Sequence, residues 1–179
     1  MNNKFRSLAF MLFIILSQLT HAGPEQAPMA VWVNEAIVAT YSYSYKNYLQ
    51  DQKQIAKYFT ADGWIAYSKA LNDSKLPEAV QKNLYYVSAV ATEPPVITTI
   101  DKNHWKATMN LLVMYKNPQY KQSQTLKVNI EFGIAPAGQG VRGFSMNSLQ
   151  SVLIKPSCQC PIEDDHTTPT AASPTGAKQ

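Results

Sequence analysis

The chain has 179 residues and a mass of 20.0 kDa, a size suited to one domain and cramped for two independent catalytic cores. Hydrophobic residues make up 45% and charged residues 16%, with 11 Pro and 7 Gly, which excludes collagen-like and wholly disordered chains. The formal charge is +4, but Lys4 and Arg6 belong to an N-terminal segment whose removal leaves 14 basic against 12 acidic residues, or +2; the lysines from Lys46 to Lys127, like the few basic residues after them, are spread singly, without the basic face that nucleic-acid binding requires.

Lys4 and Arg6 precede an apolar run from Leu8 to Leu16, after which the chain turns polar at Ser17, Gln18, Thr20 and His21 before Ala22 and Gly23. A positive start, a short apolar run and a small-residue exit describe a secretory signal, residues 1–22, cleaved between Ala22 and Gly23. The run is well short of the ~20 apolar residues that a spanning helix needs. The alternative reading is an uncleaved anchor, which would hold the protein at a membrane. Export places Cys158 and Cys160 in an oxidising compartment.

Met29 to Gln50 contains neither Gly nor Pro, and Val33, Ile37, Tyr41, Tyr45 and Leu49 form one stripe, as in an amphipathic helix laid on a core. Tyr41-Ser-Tyr43-Ser-Tyr45 also alternates like a strand; the uninterrupted length and the polar Asn34, Glu35, Lys46 and Asn47 favour helix. Asp51 and Gln54 have the spacing of a capping box and start a second helix carrying Ile55, Tyr58 and Phe59. Trp64, Ile65, Ser68 and Leu71 give a third, with Asp62 as its cap, and Pro77 opens a further turn.

From Leu84 the period changes to two. Strands are expected at 85–91 and 96–100, on either side of Glu93-Pro94-Pro95, and at 105–115, 126–134 and 144–154. Lys116 to Lys121 supplies turn chemistry between two strongly alternating runs, so these form an antiparallel pair. Helices followed by strands imply an α+β fold with the helices on one face of a curved antiparallel sheet. The folded domain is expected over residues 29–156. Residues 157–179, ending in a Pro-punctuated stretch of small polar residues, read as a disordered tail.

The chemistry-bearing clusters are sparse. Cys158, Cys160 and His166 lack the fourth ligand of a structural zinc site, so disulfides are expected, either between the two cysteines or between chains. His104 sits at a strand entry with no neighbour of matched pKa apparent, and reads as a turn residue. There is no Gly-rich phosphate loop, no G-x-S-x-G elbow and no H-E-x-x-H, so no catalytic residue, metal or cofactor is expected. Among the many tyrosines, Tyr43 lies off the helical stripe and is the interface candidate, together with Trp64 at the helix junction.

Several segments in sequence carry a resemblance: Phe59-Thr-x-x-Gly63-Trp64, Tyr86 to Thr92 followed by Pro95-Val-Ile97, Trp105-x-x-x-Met109-x-x-Leu112-Val113-x-Tyr115, and Gln124-Thr-Leu-x-Val128. From about Val31 to Ser151 the chain resembles the IcmL/DotI proteins of type IVB secretion and related conjugation systems. The resemblance implies a VirB-type periplasmic domain with a nuclear-transport-factor-2-like cone, in which helices pack into a four-stranded antiparallel sheet. It also implies a non-enzymatic role through contacts with other secretion-apparatus proteins, with self-contact left open. Such proteins carry a cytoplasmic stretch and a membrane helix before this domain, whereas here six residues precede a signal-like run, which points to an exported paralogue. The competing reading is a small-molecule binder or enzyme using the mouth of the cone. An open cavity holding a carboxylate or His104 would favour it, and a mouth filled by Trp64 and aliphatic side chains would exclude it.

Overall fold

The computed structural model describes residues 26–161, with side chains through Lys155. In chain order, α1 (Gln26–Thr40) leads to a two-residue strand β1 (Tyr43–Ser44), α2 (Tyr48–Ile55) and a 3-10 turn (Ala56–Tyr58). Next come α3 (Ala61–Asp73) and α4 (Leu76–Lys82). The remainder is strand: β2 (Tyr86–Ala91), β3 (Val96–Thr99), β4 (His104–Lys116), β5 (Tyr120–Ile134) and β6 (Phe144–Pro161). The architecture is α+β, as the change of period from helical to two predicts.

The sheet is antiparallel, in the order β1-β2-β4-β5-β6, with β3 also paired to β4. It has six strands where the resemblance implies four. β2 and β3 occupy a single lane: β2 pairs with Leu111–Lys116 of β4 and β3 with Trp105–Thr108. Pro94 and Pro95 divide that lane because proline has no N–H to give the ladder. Four lanes plus the short β1 account for the count.

Alternation decides what is buried. Ala107, Met109, Leu111 and Val113 of β4 lie opposite Ile130, Val128, Leu126 and Gln124 of β5, on the face that the helices cover. The hairpin begins earlier on β5 than the alternation indicates, because Asn117 Oδ1 accepts the N–H groups of Gln119 (2.9 Å) and Tyr120 (2.7 Å) and closes the turn directly after β4. α1 buries Met29, Trp32, Val33, Ala36, Ile37 and Thr40 against this face. Trp32 lies 5.2 Å from the ring of Phe132 and 5.6 Å from that of Phe144, and Trp105 packs on both.

The helix expected from Met29 to Gln50 is interrupted. α1 stops at Thr40, and the alternating tyrosine segment that the sequence assigns to helix makes β1 instead. Serines supply the reason, since their hydroxyls compete for backbone partners. Ser42 Oγ accepts the N–H of Ala89 (3.2 Å), Ser44 Oγ accepts that of Asn47 (3.2 Å), and the Ser44 N–H donates to Asp51 Oδ2 (3.0 Å). Asp51 therefore lies inside α2 and ties it to β1, and does not start a capping box. Leu49, last in the expected stripe, is 78% exposed. The cap of α3 is Thr60, which accepts from the Gly63 N–H at 3.1 Å; Asp62 sits in the first turn.

The domain also runs further than the expected end at residue 156. β6 continues to Pro161, because β5 offers Tyr120–Ser123 as backbone partners. Cys158 and Cys160 thus lie within β6, opposite Ser123 and Lys121, and not in a tail.

One contact joins the helical layer to β6. Phe59 bridges Met146, the Thr60 N–H donates to the Met146 carbonyl (2.9 Å), and Gly63 lies so close that an added Cβ would stand 2.6 Å from the Met146 carbonyl oxygen and 2.9 Å from that of Asn147. Those are backbone atoms held in a sheet, so they yield little. Gly63→Ala is expected to destabilise the domain by about 2 kcal/mol through overpacking, and Thr60→Ala by about 1 kcal/mol through the lost cap. Urea unfolding followed by circular dichroism measures both; a neutral Gly63→Ala would refute the close approach.

Candidate functional site

Beyond the contact at Gly63, α3 crosses the concave side of the sheet without closing onto it. The gap is a cleft of about 460 Å³, walled by Tyr67 and Leu71 of α3, Leu76 of α4, Tyr41 and Tyr43 around β1, Tyr115 of β4, and Leu149 to Ser151 of β6. Four tyrosines from three parts of the fold converge there. Local structure explains each placement: the break after Thr40 turns Tyr41 and Tyr43 inward, Tyr67 is one turn from the Trp64 that packs on Phe59, and Tyr115 ends the buried alternation of β4.

The cleft is electrically neutral. Its hydroxyls are held by other neutral groups: Gln124 Nε2 donates to Tyr115 Oη at 3.2 Å, and Tyr67 Oη donates to the Thr40 carbonyl at 3.5 Å. Burial pushes the Tyr41 phenol up to about 12, against a smaller opposing effect of its hydrogen bond to Ser151. Burial, then the neighbouring phenols, pushes Tyr43 and Tyr67 up as well. Burial also raises Tyr115, opposed by Gln124. Such a lining offers hydroxyl and amide hydrogen bonds plus apolar ring area, but no base or acid matched to neutral pH.

The sequence candidates are dispersed. Tyr43 is 6% exposed and packs edge-on against Tyr48, so it is a core and cleft-wall residue and not an outward interface residue. Trp64 is half-buried against Phe59 and Tyr67, beside the cleft and outside its lining. His104 is exposed at the far end of β4, bonded through Nδ1 to Asp101 at 2.9 Å. The mouth is therefore open, yet it holds neither a carboxylate nor His104. The side chains of Cys158 and Cys160, and Ala22, Gly23 and His166 altogether, lie outside the described residues. Among the described residues, no group of three or more His, Cys, Asp or Glu could hold a metal ion. Sequence reasoning missed Tyr67 and Tyr115 as partners of Tyr41. The signal was present in part: Tyr67 follows Trp64 by three residues, on one helical face, and Tyr115 shares the parity of Met109 and Val113.

The tyrosines make stability depend on alkaline pH. Each raised phenol binds its proton more tightly folded than unfolded, so its contribution is complete below the ordinary phenol value of about 10 and is lost as pH climbs through its raised value, about 12 for Tyr41 and higher for Tyr43 and Tyr67. Tyr86, lowered by its hydrogen bond from Lys46, ionises first. Phenolate absorbance is expected to rise in two stages, the later one coinciding with loss of the circular dichroism of the fold. A later stage that leaves the fold intact would contradict the burial of these hydroxyls.

No curated protein sequence matches this chain. Solved structures do. An IcmL-like type IV secretion system protein from Legionella pneumophila subsp. pneumophila str. Philadelphia 1 is 67% identical, covers 78% of this chain and 100% of its own, and superposes with a TM-score of 0.73. The periplasmic domain of DotI is 26% identical, with 74% of this chain and 98% of that domain covered at a TM-score of 0.67. CagV, a VirB8 homolog from Helicobacter pylori strain 26695, shares the fold at 11% identity, with 72% and 99% covered and a TM-score of 0.59. Residues 13–147 match the type IVB secretion system inner-membrane complex component family, DotI/IcmL. With its helices laid in a curled antiparallel sheet and more than half its length inside the family match, the chain belongs to the DotI/IcmL family of type IVB secretion system proteins.

Proposed function

We propose that this protein is an exported, periplasmic component or paralogue of a type IVB secretion apparatus, working through protein contacts without a chemical step. The observation that carries the reading is the 67% identity to an IcmL-like secretion protein over the whole of that solved chain. The site chemistry supports it. A cleft of neutral tyrosine hydroxyls and leucines suits recognition of uncharged, partly apolar surface, and Tyr is a residue that interfaces favour. For export, the support is the signal-like composition of residues 1–22 and the periplasmic origin of the DotI domain that the chain resembles. No helix among the described residues is long and apolar enough to cross a membrane. An exported chain would hold Cys158 and Cys160 as disulfides, within one chain or between two.

Affinity capture of the tagged full chain from gently solubilised envelopes is expected to recover secretion-apparatus subunits, and deletion to reduce effector or DNA transfer. Recovery of none, with transfer intact, would exclude the apparatus role. Sequencing of the native N-terminus is expected to begin at Gly23, and alkylation followed by mass spectrometry to find neither cysteine free. An intact Met1 with two free thiols would place the chain elsewhere.

A further inference from the structure

β6 is the last strand of the sheet, and its outer edge is covered over only part of its length. At its start, Phe59, Thr60 and Gly63 close over Met146 and Asn147. Beyond that, no described residue pairs with the outer edge, and Val152, Leu153 and Ile154 are 62%, 52% and 49% exposed. Soluble proteins ordinarily blunt such an edge with charge, proline or a bulge, since its free N–H and C=O groups template another strand. From Phe144 to Ile154 this strand carries no charged residue and no proline.

The irregularities lie to either side of a clean stretch. The β5 to β6 ladder slips at Asn147 and again at Ile154, leaving Ser148 to Leu153 in unbroken register with Glu131 to Leu126. A slip bends and twists its strand. Past the slip at Ile154, β6 stays paired with β5 from Lys155 to Pro161. The exposed stretch is thus short, in unbroken register and uncharged.

We propose that two copies of this chain pair through this stretch, antiparallel, about a two-fold axis at Ser151. That register is self-complementary. Leu149 of each copy faces Leu153 of the other on the concave side, and Gln150 faces Val152 on the convex side. Opposed residues share a face because both sheets keep the same side up. On β6 itself the only nearby charge, Lys155, meets no like charge, and Lys127 and Glu131, beside Val152 and Ser148 on β5, lie one strand further from the partner. With no charge from Phe144 to Ile154, nothing on the edge strand repels its own copy, and the same apolar and neutral side chains meet on each face. Because Leu149 to Ser151 also wall the tyrosine cleft, the pairing sets the two clefts side by side across the axis. With so few residues paired, the contact belongs to the small, reversible class of interfaces.

The test uses the full chain in sedimentation velocity over a range of concentrations, with circular dichroism confirming that each variant folds. Wild-type protein is expected to dimerise as concentration rises. Gln150→Lys with Val152→Lys sets lysine against lysine twice and is expected to weaken the dimer by about tenfold. Gln150→Glu with Val152→Lys sets opposite charges there and is expected to restore or exceed wild-type association. In a Cys158→Ser, Cys160→Ser background, Ser151→Cys is expected to cross-link to its own copy on mild oxidation. Directly opposed Cα atoms lie about 4.5–5.5 Å apart, inside the disulfide range. A chain that stays monomeric, charge pairs that behave alike, or Ser151→Cys captured by a different protein and not by itself would each overturn the proposal.

Discussion

Much of this fold depends on the close backbone approach at Gly63. Three neighbouring residues make one clamp: Phe59 bridges Met146, Thr60 both caps α3 and donates to the Met146 carbonyl, and Gly63 lets the helix rest on the carbonyls of Met146 and Asn147. A side chain at position 63 would lift the helix from the sheet. Beyond the clamp, a gap separates Tyr67 and Leu71 of α3 from Leu149 to Ser151 of β6. The cleft is that gap. The same clamp covers the beginning of the β6 edge and leaves the rest bare.

Two ends of the cone are filled differently. At one end Trp32, Trp105, Phe132 and Phe144 interlock with ring centroids 5.2–6.0 Å apart, and large flat side chains leave little space. At the other, tyrosines replace them, and a hydroxyl must find a partner or solvent. Tyr115 finds Gln124 and Tyr67 finds the Thr40 carbonyl, while the space between them stays open. The charged pairs lie outside: Lys69 with Asp73 and Lys75 with Glu78 are solvent-exposed and contribute little to stability.

The strands were legible because a half-buried strand repeats its burial every second residue, and Trp105 to Tyr115 and Leu126 to Ile134 keep that period. α3 was legible from Trp64, Ile65, Ser68 and Leu71, and the α+β class followed from the order of elements. The break in the first helix was not, because Tyr41 to Tyr45 satisfies both periods. Only the presence of β2 alongside, with the Ala89 N–H free to reach Ser42, makes the extended form the better one. The end of β6 was hidden for a similar reason: its last residues have little apolar pattern and are ordered by backbone pairing with Tyr120 to Ser123.

By itself the sequence determined the secondary-structure classes, the export-like start, the absence of familiar catalytic motifs and the family, all of which are written in local composition and spacing. Tertiary structure alone decided that Tyr43 faces inward, that Tyr41, Tyr67 and Tyr115 share one cleft, and that an uncharged edge lies open beside it. Those are facts about residues far apart in the chain. Local spacing carries no record of them, because they arise when backbone groups find partners across the sheet and when one glycine lets a helix come close.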